Sequence, residues 1–69
     1  MIITDKYYLV YDGGDYIMSG YATGELSSNH TIETFTTPEL IVSRASTLSL
    51  TMVDRDGVTR ELETSDFPS

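Results

Sequence analysis

Gly13-Gly14 joins two runs with no helical character, Lys6 to Asp12 (KYYLVYD) and Asp15 to Thr23 (DYIMSGYAT). Aromatic and β-branched residues fill both, and a two-glycine link between such runs is the signature of a β-hairpin. A type I′ turn is expected, because both of its central residues need a positive φ that glycine reaches without a Cβ clash. Pairing outward from that turn sets Asp12 against Asp15, Tyr11 against Tyr16, Val10 against Ile17 and Leu9 against Met18. Tyr7, Leu9, Tyr11, Tyr16 and Met18 then share one face, with Tyr8, Val10, Ile17 and Tyr21 on the other. Both faces are apolar, and a two-stranded ribbon cannot cover them alone. The rest of the chain has to supply the cover.

After Gly24 the polar stretch ELSSNH reads as a loop, and HTIETF as a short third strand. FTTPEL then marks a helix start. Thr36 and Glu39 have capping-box spacing, flanked by Phe35 and Leu40 as a hydrophobic staple. Thr37 competes as the N-cap, since it would put Pro38 at the first helical position. The helix runs through PELIVSRASTL, with Leu40, Ile41, Ala45 and Leu48 on one broad face. Beyond it the period changes to two: Leu50 and Met52 alternate with polar neighbours up to the turn DRDG, and VTRELET follows.

The register of this second hairpin follows from its apolar residues. A two-residue turn at Asp56-Gly57 would oppose Met52 to Glu61 and Leu50 to Glu63. A three-residue turn, Arg55 to Gly57, instead puts Leu50, Met52, Val58 and Leu62 on one face, and is favoured. The expected fold is α+β: an antiparallel sheet of about five strands, in the order β-β-β-α-β-β, with one short helix packed on it. Residues 1–64 form a single small domain, and residues 65–69 a flexible tail whose Phe67 either docks back or stays exposed.

Composition limits the chemistry. The 69 residues include no cysteine and one histidine, His30, so neither disulfides nor a cysteine–histidine zinc site can staple the small core. Eleven acidic residues against four basic ones give a net charge of −7, which disfavours nucleic acid or an anionic membrane as a ligand. No stretch approaches the ~20 apolar residues of a membrane span, and the opening MIITDKYYLV lacks a basic region before an apolar one. A cytoplasmic protein is expected.

Asp12 and Asp15 supply two carboxylates, whereas calcium takes about six to eight oxygen ligands. In DRDG, the twelfth position counted from Asp54 is Ser65 where a calcium loop needs glutamate. No serine lies in a G-x-S-x-G setting beside the lone His30. The expectation is therefore a protein that is not an enzyme and uses no metal or cofactor.

What remains is a tyrosine-rich hairpin. Tyr7, Tyr8, Tyr11, Tyr16 and Tyr21 all fall in it, and tyrosine favours protein interfaces because it joins a large apolar area to one polar atom. The expected partner is another protein, with a basic surface matching the acid charge, or further copies of the chain. The alternative is an acidic inhibitor that fills a nucleic-acid-binding groove of a host or defence protein, with Asp12, Asp15, Asp54, Asp56, Glu61 and Glu63 standing in for phosphates. The segment IETFTTPELIVSRASTL resembles the strand-then-capped-helix phrase of small bacteriophage accessory proteins. That resemblance implies an accessory or assembly factor acting in the host cytoplasm, without catalytic residues.

Overall fold

A computed structural model describes residues 1–68. Strands β1 (Ile2–Asp12) and β2 (Asp15–Glu25) form the first hairpin, and β3 (Thr31–Phe35) pairs with the other side of β1. Helix α1 (Pro38–Thr47) follows, then a second hairpin of β4 (Met52–Val53) and β5 (Thr59–Arg60), and a 3-10 turn at Thr64–Asp66. The class is α+β, but the five strands make two sheets: three strands in the order β2-β1-β3, and a separate pair, β4-β5. The second hairpin does not extend the first sheet because its apolar side chains are needed elsewhere. Leu50 and Leu62 are buried in the core and Met52 packs against it, leaving a ladder only two residues long. Its register is the one with a three-residue turn, Met52 opposite Arg60 and Val53 opposite Thr59.

The first hairpin departs from expectation at two points. Gly13 has φ +60° but Gly14 is not at positive φ, so the turn has the pattern of type II′, in which only the first central residue needs glycine. Asp12 still faces Asp15 and Tyr11 faces Tyr16, but Val10 faces Met18 because Ile17 is an extra residue in β2. This bulge reverses every later position. Tyr21 moves opposite Tyr7 on the helix side, and Met18 moves opposite Val10 on the other. A second irregularity, between Ile3 and Lys6, holds Asp5 at φ +48°, where its backbone N–H donates to Thr23 Oγ1 at 3.0 Å.

These irregularities answer a problem of length. Glu25 pairs with Ile2 and Thr31 with Tyr11, so the link between them must travel the length of nine β1 residues, about 30 Å if straight. Six residue steps reach only about 22 Å. The hairpin therefore curls at its bulges, which also fits its eleven-residue strands into a body of 31 × 27 × 22 Å. The link has to cross β1, since β2 and β3 lie on either side of it. It ends with His30 Nδ1 3.8 Å from Asp12 Oδ2. Ile3 and Val10 are buried, yet neither belongs to the helix-side core. On the opposite face Val10 is flanked by its cross-strand neighbours Met18 and Ile32.

The helix-side core contains Tyr7, Leu9, Tyr11, Ile41, Ala45, Leu50, Leu62 and Phe67. Burying each large apolar side chain contributes about 1.5–3 kcal/mol. Thr37, not Thr36, caps α1: its Oγ1 accepts the Leu40 N–H at 3.3 Å, and Pro38 fills the first helical position. That phase buries Ile41 and Ala45 and turns Leu40 out to solvent, so no staple forms. At the other end the Leu50 N–H donates to the Ala45 carbonyl (2.9 Å) and the Ser49 N–H to that of Ser46 (3.1 Å). This is a Schellman closure with Ser49 left-handed at φ +57°, and it delivers Leu50 directly into the core. Of the expected loose tail, residues 65–68 are docked, and Ser69 lies outside the described residues. The 3-10 turn presents Phe67 to the core, edge-on to the Tyr7 ring at 5.9 Å, where it joins an aromatic group that includes Tyr21 on the other side of Tyr7.

Candidate functional site

The five tyrosines of the hairpin divide by depth. Tyr7 and Tyr11 are core residues, 9% and 7% exposed, and present no surface to a partner. The Tyr7 hydroxyl donates to the Pro68 carbonyl at 2.7 Å, and the Tyr11 hydroxyl donates to Glu33. Tyr16 is half-buried against the core and shares a 2.7 Å hydrogen bond with Ser19. Tyr21 stacks edge-on against Tyr7, with centroids 4.9 Å apart, and keeps 43% of its surface. Tyr8 is half-buried on the opposite face, where its ring lies across Gly20. A Cβ at that glycine would stand 2.8 Å from the Tyr8 hydroxyl oxygen.

Two residues join the accessible tyrosines that sequence reasoning did not select. Ile17 and Met18 are 40% and 41% exposed, because the bulge lifts the first out of register and shifts the second off the core face. With Tyr21 they make β2 the apolar side of the hairpin. Just beyond them lie Asp12 and Asp15, both exposed at the turn. This apolar strip follows the edge strand, with Met18 on one face of the sheet and Tyr21 on the other, and its end in two carboxylates suits an apolar partner with a basic border.

The remaining acidic candidates lie elsewhere, around the second hairpin, and half of them are occupied. Asp54 caps its own turn, accepting the N–H groups of Asp56 (2.9 Å) and Val58 (3.0 Å), and also faces Arg60 Nε at 3.4 Å. Arg60 further donates to both oxygens of Asp66, at 2.6 and 2.9 Å, and lies 3.9 Å from Glu63. The turn's N–H groups, with Arg60, hold the Asp54 carboxyl below the usual carboxylate range, and Arg60 does the same chiefly to Asp66. Asp56 and Glu61 are exposed and form no ion pair among the described residues. Of the six candidates, Asp15, Asp56 and Glu61 form no ion pair among the described residues, while Asp12 lies against His30; Asp12 and Asp15 flank the first turn, Asp56 lies in the second and Glu61 just past β5.

One constellation has the residue types of an active site. Glu33 on β3 accepts from Arg44 of α1 in a two-pronged contact (Nε 2.9 Å, Nη2 3.1 Å) while also accepting from the Tyr11 hydroxyl. Arg44 and then Tyr11 push the Glu33 carboxyl down, and Glu33 is the main cause of the raised Tyr11 phenol. Both shifts lead away from neutrality and favour a carboxylate beside a neutral phenol near pH 7. The effect of the constellation is mechanical: it fixes α1 to β3 and β1. Among the described residues no group of three or more histidine, cysteine or acidic side chains is placed to hold a metal ion, and no helix is long and apolar enough to cross a membrane. No protein-family model, curated protein or solved structure matches the chain.

Proposed function

We propose that the chain is a small, acidic, non-enzymatic protein–protein interaction module that binds through its first hairpin, as an accessory or assembly factor of bacteriophage type acting in the host cytoplasm. The observation that carries this reading is the exposed apolar strip of β2, Ile17, Met18 and Tyr21, beside the acid turn of Asp12 and Asp15. A bulge that turns apolar side chains outward costs burial in a core this small, and binding a partner recovers it. Tyr8 and Tyr21 are the tyrosines that take part, with Tyr16 at the margin. Tyr7 and Tyr11 act through the fold.

The test uses exposed positions, so that folding is not confounded with binding. Met18→Asp should leave the thermal unfolding midpoint nearly unchanged, and Tyr21→Ser should lower it by the loss of the edge contact with Tyr7, about 0.5–1.5 kcal/mol. Both should abolish capture of the partner held by the unaltered chain under conditions where each variant is folded. Undiminished capture by both variants would overturn the reading. The acidic-decoy alternative predicts a different response. Binding through Asp12, Asp15, Asp56 and Glu61 weakens steeply with added salt, because exposed charges are screened within about 10 Å at 0.1 M. Binding through the apolar strip is nearly insensitive to salt.

A further inference from the structure

The outer edge of β2 is a hydrogen-bonding ladder that nothing in the described chain fills. With β1 in the centre of the order β2-β1-β3, alternate β2 residues turn their N–H and C=O groups away from the sheet. This edge is eleven residues long, about twice an ordinary strand. Edge strands are usually blunted by lysine, proline, inward charges or shortness. From Tyr16 to Gly24, β2 has no charged residue and no proline; its pairing with β1 is interrupted at Ile17 and again between Ala22 and Gly24, which leaves Met18 to Ala22 as the regular part of the edge. Charge returns at the two ends, as Asp15 and Glu25, both exposed; Glu25 Oε1 also lies 3.5 Å from the Met1 ammonium, a solvent-exposed pair that an incoming lysine would share or displace.

We infer that β2 receives an extended segment of another protein by strand addition, and that this segment carries a basic residue near each end. The inference rests on the interaction reading above and specifies its geometry. Main-chain bonds would supply affinity, and side chains of alternate residues would meet Ile17, Met18 or Tyr21. Because both ends of β2 are acidic, the charge rule is the same for either direction of the added strand. It also argues against a second copy as the occupant. Antiparallel self-pairing opposes Asp15 to Glu25, and parallel self-pairing opposes each acid to itself, between chains that each carry −7.

The probe is a synthetic eleven-residue peptide of alternating threonine and valine with lysine at both ends, added to the isotope-labelled full chain. Slowed amide exchange is expected at alternate residues between 16 and 24 of β2 and not along β3. A peptide with glutamate at both ends should bind at least tenfold more weakly, as should the Lys-ended peptide to the double variant Asp15→Lys, Glu25→Lys. A peptide with proline at its centre should give no protection. Protection along β3, no protection, or protection indifferent to the central proline would overturn the inference. So would β2 protection that rises with protein concentration in the absence of peptide, which would assign the edge to a second copy. If the peptide fails while Met18→Asp still abolishes partner capture, strand addition is lost and the interaction reading stands. If Met18→Asp and Tyr21→Ser are also without effect, both are lost.

Discussion

Replacing Phe67 by alanine measures how much of this small core depends on its last residues. Phe67 is 6% exposed, packs among the core residues and meets Tyr7 edge-on at an interplanar angle of 84°. Truncating a buried phenylalanine costs about 3–5 kcal/mol when a cavity remains. Here Phe67 hangs on a three-residue 3-10 turn, which can move away from the core and remove the cavity, lowering the cost toward the transfer contribution of about 2–3 kcal/mol. Detachment also releases the 2.7 Å hydrogen bond from the Tyr7 hydroxyl to Pro68. A chain of 69 residues has a total stability of about 3–10 kcal/mol, so the variant gives up about a fifth of it or more. Urea unfolding followed by circular dichroism should show this as a large fall in midpoint. Phe67→Leu, which retains most of the apolar volume, should lose less than half as much. A loss below about 0.5 kcal/mol for Phe67→Ala would refute the docking, since surface substitutions fall within that range.

Gly13→Ala and Gly14→Ala should separate cleanly in the same assay. The first places a Cβ at φ +60° and should cost about 1–2 kcal/mol, whereas the second has no such penalty. Equal losses would contradict the type II′ turn. Ser49→Gly should stabilise by about 1 kcal/mol, because glycine takes the left-handed position that ends α1 without strain; a destabilised variant would mean that the Schellman closure is not what holds Leu50. Stability should also fall on acidification. Glu33, Asp54 and Asp66 all have carboxyls depressed in the folded state, by Arg44, by the Val58 N–H and by Arg60 respectively. Their contribution is complete above the unfolded carboxylate range, about pH 5, and is lost as the pH falls through the lower folded values. Denaturant midpoints that stay level from pH 6 to pH 2 would show these contacts to be without effect.

The elements of the fold were legible where local chemistry fixes them. The glycine pair identified the first hairpin, Thr37-Pro38 was one of two readable caps, and the three-residue turn followed from keeping Leu50 and Leu62 on one face. The bulge at Ile17 was not legible. Tyr16, Ile17 and Met18 alternate as well in an unbroken strand, and the need for curvature comes from how few residues join β2 to β3, which matters only once the strand order is known. That single residue decides which apolar side chains meet solvent. For the same reason the tyrosines could be recognised as a group but not sorted by depth: Tyr7 and Tyr21 fall on one face only after the register shift. The break into two sheets was hidden because the pattern of β4 and β5 indicates a buried face without saying whether a neighbouring strand or the helix covers it. The long uncharged stretch between Asp15 and Glu25 did not stand out in the sequence, because it becomes informative only once β2 is known to be an edge.

That the first hairpin is the binding surface is tested most directly by hydrogen exchange on the full chain, free and with its captured partner bound. The account predicts new protection centred on Ile17 to Tyr21 in β2, with the Asp54–Gly57 turn unchanged. Protection confined to that second turn, with β2 exchanging as it does in the free chain, would contradict it.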